Sequence, residues 1–155
     1  MIQRIQSIFL TLIAAAMIGF LFVNIWQKSA GTETVSLNCM KMIYVKDGNV
    51  VQENETFFLA IGAIIIFSTA LVSLLSFKNR LRQLQLGLVI SVLIAALLGG
   101  IIYYSFQGEK LIEGGAKGTF GPGLLIPALS LILNSLANRF IRKDEEMVRS
   151  ADRMR

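Results

Sequence analysis

Leu86-Gly-Leu-Val-Ile-Ser-Val-Leu-Ile-Ala-Ala-Leu-Leu-Gly-Gly-Ile-Ile-Tyr-Tyr-Ser-Phe106 decides the class of this protein. The run holds no Asp, Glu, Lys or Arg, and it matches the ~20 apolar residues that a helix needs to cross a bilayer. Phe57–Phe77 is a second uncharged run of the same kind. Ile5–Trp26 is a third, with Gln6, Ser7, Thr11 and Asn24 as its most polar residues. The last run, about Phe120–Ile141, has Pro122 and Pro127 near its start and Arg139 near its end. Four spans take up about 80 residues of a chain of 155. That leaves too little for a large extramembrane domain.

Composition agrees. Only 16% of residues are charged, against roughly 25% in soluble domains, and mean hydropathy is +0.64. No run is amphipathic enough to coat the others in water. The expectation is an all-α membrane protein: a single four-helix membrane domain over 1–155, with spans at about 5–26, 57–77, 86–106 and 120–141. The first run is read as a retained helix and not a signal peptide. Its apolar stretch Ile8–Val23 exceeds the usual 7–15 residues, and no small-x-small cleavage site follows it. Pro122 suits a first helical turn. Pro127 either kinks the helix or lies close to its start.

Missing residue types exclude several chemistries. There is no His and a single Cys, Cys39. This removes bis-histidine haem ligation, most zinc sites, intrachain dithiol chemistry and the commonest general base. No ionisable residue lies at hydrocarbon depth, which argues against an ion-coupled transporter, a proton pump or an intramembrane aspartyl protease. No catalytic, cofactor or metal residues are therefore assigned. The net charge of +5 does not point to nucleic acid, because the basic residues are mixed with Asp144, Glu145, Glu146 and Asp152 along one rim. Contact with anionic lipid heads accounts for them.

Lys and Arg also set an orientation. Ten lie at the N-terminus, in segment 78–85 and from Arg139 onward, against five in segments 27–56 and 107–119. The positive-inside rule puts the ten in the cytoplasm, with both termini. Trp26, Phe57, Phe58, Tyr103, Tyr104, Phe106 and Phe120 cluster at the opposite ends of the spans, as an interfacial aromatic belt does.

Segment 27–56 is expected to be an outer loop. Lys46-Asp47-Gly48-Asn49, between Met42–Val45 and Val50-Val51, reads as a β-hairpin turn. Cys39 lies in this loop, either as a free or buried thiol or paired between chains. Asn54-Glu55-Thr56 matches a glycosylation sequon but abuts the second span. Segment 107–119, with Gly108, Gly114, Gly115 and Gly118, lacks a phosphate-binding motif and reads as a flexible outer connection. In tail 142–155, Glu145 and Arg149 stand at i, i+4 and support a helix.

Two polar or small stripes suggest helix packing: Ser91, Ala95 and Gly99 in the third span, and Ser130, Asn134 and Asn138 in the fourth. The Asn stripe is either interhelical glue or a polar ligand site, and glue is the commoner use of such stripes.

Three segments carry a resemblance: Met1-Ile2-Gln3-Arg4-Ile5-Gln6, Phe77-Lys78-Asn79-Arg80, and Arg142-Lys143-Asp144-Glu145 followed by Val148-Arg149-Ser150-Ala151-Asp152-Arg153-Met154-Arg155. In order and spacing they resemble an uncharacterised membrane family of Bacteroidota, the domain-of-unknown-function family numbered 4293. Met154 stands where that pattern has Leu. The resemblance implies a small four-helix inner-membrane protein and supplies no activity, substrate or cofactor. All three segments fall on the side assigned to the cytoplasm. They suggest a docking face built from Arg4, Asn79, Arg80, Asp144, Glu145, Arg149, Asp152 and Arg153. The function expected from these readings is that of a non-enzymatic accessory or assembly subunit. It would contact membrane lipids and other membrane protein subunits, or itself. A small channel or a lipid-handling protein is the alternative.

Overall fold

The computed structural model describes residues 2–76, 79–112, 114, 115 and 117–153, and among these the side chains of 6–147. The element order is α1 (Ile2–Phe20), β1 (Trp26–Ala30), β2 (Glu33–Leu37), β3 (Lys41–Lys46), β4 (Asn49–Glu55), α2 (Phe57–Leu75), α3 (Arg80–Leu111), β5 (Thr119–Phe120) and α4 (Pro122–Arg153).

The expectation of a purely α-helical four-helix bundle is corrected by these strands. They form one antiparallel sheet in the order β4-β3-β2-β1-β5. The segment read as a loop with one hairpin supplies four strands, and the segment read as a flexible connection leads into the fifth. Strand alternation here mixes residue types. Trp26 and Lys28 of β1 face inward with Val35 and Leu37 of β2, whereas Gln27 and Ser29 face out. A buried lysine in that pattern hides the period of two.

Turn chemistry fixes the register. Asp47 and Gly48 both have positive φ, +50° and +80°, the type I′ geometry that matches strand twist. Gly31, at φ +60°, takes the first central position of the β1–β2 turn, as in a type II′ hairpin. On the outer face Lys46 pairs with Glu33 at 2.7 Å across directly opposed positions. The Lys46 ammonium holds the Glu33 carboxyl below its usual range. Lys41 of β3 pairs with Glu53 of β4 diagonally, since the residue directly opposite Lys41 is Glu55.

The four helices close a ring in which α1 and α3 each pack on both α2 and α4. The ring interior is filled by Ile13, Met17, Ala63, Ile66, Ile90 and Ile94, all essentially inaccessible. The outward faces are apolar as well: Ile8, Leu12, Ile61, Ile64, Ile65, Val72, Leu88, Val92, Leu125, Leu129 and Ile132 are exposed. A soluble protein rarely exposes so much contiguous apolar surface, whereas a lipid-facing bundle must.

Three helices, α2, α3 and α4, are long and apolar enough to cross a membrane. α1 is shorter than the span read from sequence. It stops at Phe20, because Ile25 already donates to the Leu37 carbonyl at 2.9 Å and Trp26 begins β1. At ~1.5 Å per residue, the 32 residues of α3 extend about 48 Å, well past the ~30 Å hydrocarbon thickness. Its last turns rise beside the sheet. α4 starts at Pro122 and carries Pro127 inside its second turn.

Candidate functional site

Two polar arrangements are built into this scaffold, one at each end of the bundle. At the sheet end, Lys28 is only 5% exposed. Its Nζ donates to the Glu109 carbonyl at 3.3 Å and the Ile112 carbonyl at 3.1 Å, and pairs with Glu109 Oε1 at 3.0 Å. All three ammonium donors are thus used. The two carbonyls belong to the C-terminal turn of α3, where backbone acceptors are unsatisfied and the helix dipole is negative. Glu109 Oε2 in turn accepts from the Gly118 N–H at 3.1 Å. One lysine therefore ties β1, the end of α3 and the following loop together.

Trp26 completes this junction. Its place at the end of a span suggests an interfacial anchor, but it is 2% exposed, whereas Phe58, Tyr103 and Phe106 are well exposed at the same end. Its ring lies against Gly108 of α3 and against Gly118. A Cβ on Gly108 would sit 2.6 Å from Trp26 Cζ3, and one on Gly123 would sit 2.8 Å from Ile25 Cα. The glycine-rich segment thus serves close packing. Cys39 is buried as well. Its thiol donates to the Leu21 carbonyl at 3.1 Å, and burial pushes its pKa up.

Toward the other end, Asn134 of α4 donates to the Gly87 carbonyl at 2.7 Å and to Ser91 Oγ at 2.8 Å. Asn138 lies against Gly87, leaving no room for a Cβ there. Ser130 is buried and bonds its own helix through the Ile126 carbonyl. Of the stripe in α3 only Ser91 joins this seam; Ala95 and Gly99 face outward. The reason is geometric. Each i+4 step overshoots a full turn by about 40°, so by Gly99 the stripe has rotated off the contact, and Gly87 is the small residue that counts. Nearby, buried Gln83 Nε2 donates to the Ser73 carbonyl at 3.0 Å and links α3 to α2.

Replacing Asn134 with Leu is expected to cost about 0.6–2 kcal/mol, the range of an interhelical hydrogen bond in a membrane. Chemical denaturation of the variant in detergent measures it. An unchanged midpoint would remove the seam from the account of α3–α4 packing.

Of the residues expected in a docking face, Asn79 caps α3 by accepting from the Arg82 N–H at 3.1 Å. Arg80 Nε stands 2.8 Å from Asp144 Oδ2. That oxygen accepts no hydrogen bond among the described residues, so the contact is ionic. Glu145 is half-buried beside it. The side chains of Arg4, Arg149, Asp152 and Arg153 lie outside the described residues. Asn79 thus caps its own helix, and the Arg80–Asp144 pair joins the start of α3 to α4.

A family model described as a domain of unknown function, DUF4293, matches residues 2–154. The chain belongs to the DUF4293 family. No curated protein matches it. The matched range takes in the strands as well as the helices. Lys28, Glu109, Trp26, Gly87, Gly108 and Gly118 were not singled out by the sequence as structural determinants. Only Lys28 left a trace, two residues after Trp26 and therefore on the same strand face.

Proposed function

We propose that this DUF4293 protein is a non-enzymatic accessory or assembly subunit of a membrane complex. Its place is the bacterial inner membrane, with both termini in the cytoplasm and the sheet outside. The observation that carries the reading is the free edge of the sheet. β5 covers the β1 side, whereas β4 ends the sheet with seven residues and exposes Val50 and Val51. An uncovered edge is a template for strand addition by another chain. The extra residue at Val51, where the β3–β4 register shifts, and the acidic Glu53 and Glu55 restrict that addition to a complementary strand. Basic residues opposite Glu53 and Glu55 would meet this requirement.

The filled bundle axis favours this reading over a pore, since Ile13, Ile66, Ile90 and Ile94 close the path a solute would take. The unequal distribution of Lys and Arg supports the orientation.

Purification from native membranes in mild detergent tests the proposal. The expected result is a stoichiometric complex that dissociates in a Val50→Glu, Val51→Glu variant whose own unfolding midpoint is unchanged. A monomer without a stoichiometric companion in several detergents, or a complex indifferent to the β4 substitutions, would overturn it.

A further inference from the structure

A cavity of about 430 Å³ opens at the sheet end, lined by Trp26, Ile102, Phe106, Phe120, Glu109 and Lys117 among others. Its size falls in the ~300–1,000 Å³ range of small-ligand sites. It lies beside the long edge of α3 and not in the bundle axis. Ile102, Phe106 and Phe120 are 45%, 67% and 50% exposed, so the lips belong to the apolar outer surface and the mouth is continuous with the lipid-facing side.

Polarity changes along the cavity. Ile102 and Phe106 form its lower wall, two turns and one turn below Glu109 on the same face of α3. From Ile102 to Glu109 the helix rises about 10 Å, the distance over which hydrocarbon gives way to headgroups at the end of the span. Trp26 and Phe120, directly paired across β1 and β5, close the side. The charged groups sit only at the top. Glu109 is neutralised by Lys28 at 3.0 Å. Lys117 forms no ion pair among the described residues and is exposed. Glu109 also feels Lys117, so among the described residues two lysines share one carboxylate, and the mouth carries a net positive charge above an apolar slot.

We infer that this cavity holds one acyl chain of an anionic phospholipid from the leaflet at the sheet end, with its phosphate at Lys117. The occupant follows from three features together: apolar walls, continuity with the bilayer-facing surface, and a net positive charge at headgroup depth. A zwitterionic lipid brings its own ammonium along with its phosphate and would leave the net positive charge of the mouth unbalanced, and a soluble anion would leave the aromatic slot unused. The inference depends on the helices lying in a bilayer and is independent of what binds β4.

The chain has one Trp, and it walls the cavity, so its fluorescence reads occupancy directly. The full-length protein is placed in phosphatidylcholine nanodiscs containing equal small fractions of either phosphatidylglycerol or phosphatidylcholine with brominated acyl chains. Brominated phosphatidylglycerol is expected to quench Trp26 severalfold more at low mole fraction. Lys117→Gln, an exposed loop substitution, should bring the two lipids to the same curve without moving the unfolding midpoint. Ile102→Phe, which fills the mouth, should lower phosphatidylglycerol quenching toward the phosphatidylcholine level. Superimposed curves in the unsubstituted protein, or a preference that survives Lys117→Gln, would overturn the assignment. Inorganic phosphate, compared with chloride at equal ionic strength, supplies the last arm. If it abolishes the preference, the site takes phosphate alone and the lipid assignment falls; an unchanged preference supports a site that needs the chain.

Discussion

Lys28→Met should destabilise the protein by about 2–3 kcal/mol, somewhat less than the ~3–5 kcal/mol typical of breaking a fully buried ion pair. The discount reflects Glu109, whose side chain is 35% exposed and partly screened by water. Methionine fills much of the volume of the lysine stem, so the loss isolates the ammonium. Three acceptors lose their donor at once: the Glu109 carboxylate and the carbonyls of Glu109 and Ile112. The carbonyls sit at the negative end of a 32-residue helix, where a cation is favoured most. The sheet should loosen from α3 before the helices separate. Trp26 fluorescence during chemical denaturation in detergent reads this as a transition moved to lower denaturant, together with a red shift of the native signal. A loss under about 1 kcal/mol, the worth of an exposed surface pair, would show that the buried ammonium contributes nothing special.

Gly108→Ala is the second large effect, about 1–3 kcal/mol, the usual cost of forcing a methyl into a filled site. The added carbon would lie 2.6 Å from Trp26 Cζ3 and 3.1 Å from Cη2. The indole is rigid, and Gly118 packs against its other side, so retreat in either direction moves backbone. Gly99→Ala is the control. It lies on the same helix, and a Cβ there meets nothing within 4 Å. Alanine is the better helix former by up to ~1 kcal/mol, so that variant should be neutral or slightly stabilised. Thermal unfolding of the pair, followed by Trp26 emission, decides the matter. Equal behaviour of the two variants would mean that the indole contact does not limit position 108.

The contrast between these two glycines shows what the sequence could and could not disclose. Apolar length alone located α2, α3 and α4, because a lipid-facing helix is apolar on all sides and needs no period to be recognised. The Lys46-Asp47-Gly48-Asn49 turn was legible because the two positive φ values it demands restrict residue choice. The other strands were not. They are two to five residues long, and Lys28 breaks the apolar alternation for a reason that lies on α3, far along the chain. Trp26 read as an interfacial anchor because sequence cannot show that Gly108 and Gly118 make space for it. The Ser91, Ala95, Gly99 stripe misled in a different way. Spacing by four names a helix face only approximately, and the drift is resolved only when the partner helix is in place. On the charged end, the contact between Arg80 and Asp144 was not visible in either segment, because the two lie far apart in the chain.

The two-residue strand β5 imposes an order on assembly. Its partner β1 follows α1 directly in the chain, yet β5 comes only after α2 and α3. Lys28 likewise waits for the end of α3 to receive its ammonium. Until then the extramembrane layer is an incomplete hairpin stack with both margins open and a buried cation without acceptors. Pairings this remote in the chain form late and slowly. Closure by β5, immediately before α4 begins at Pro122, therefore reports that the three preceding helices are already in place.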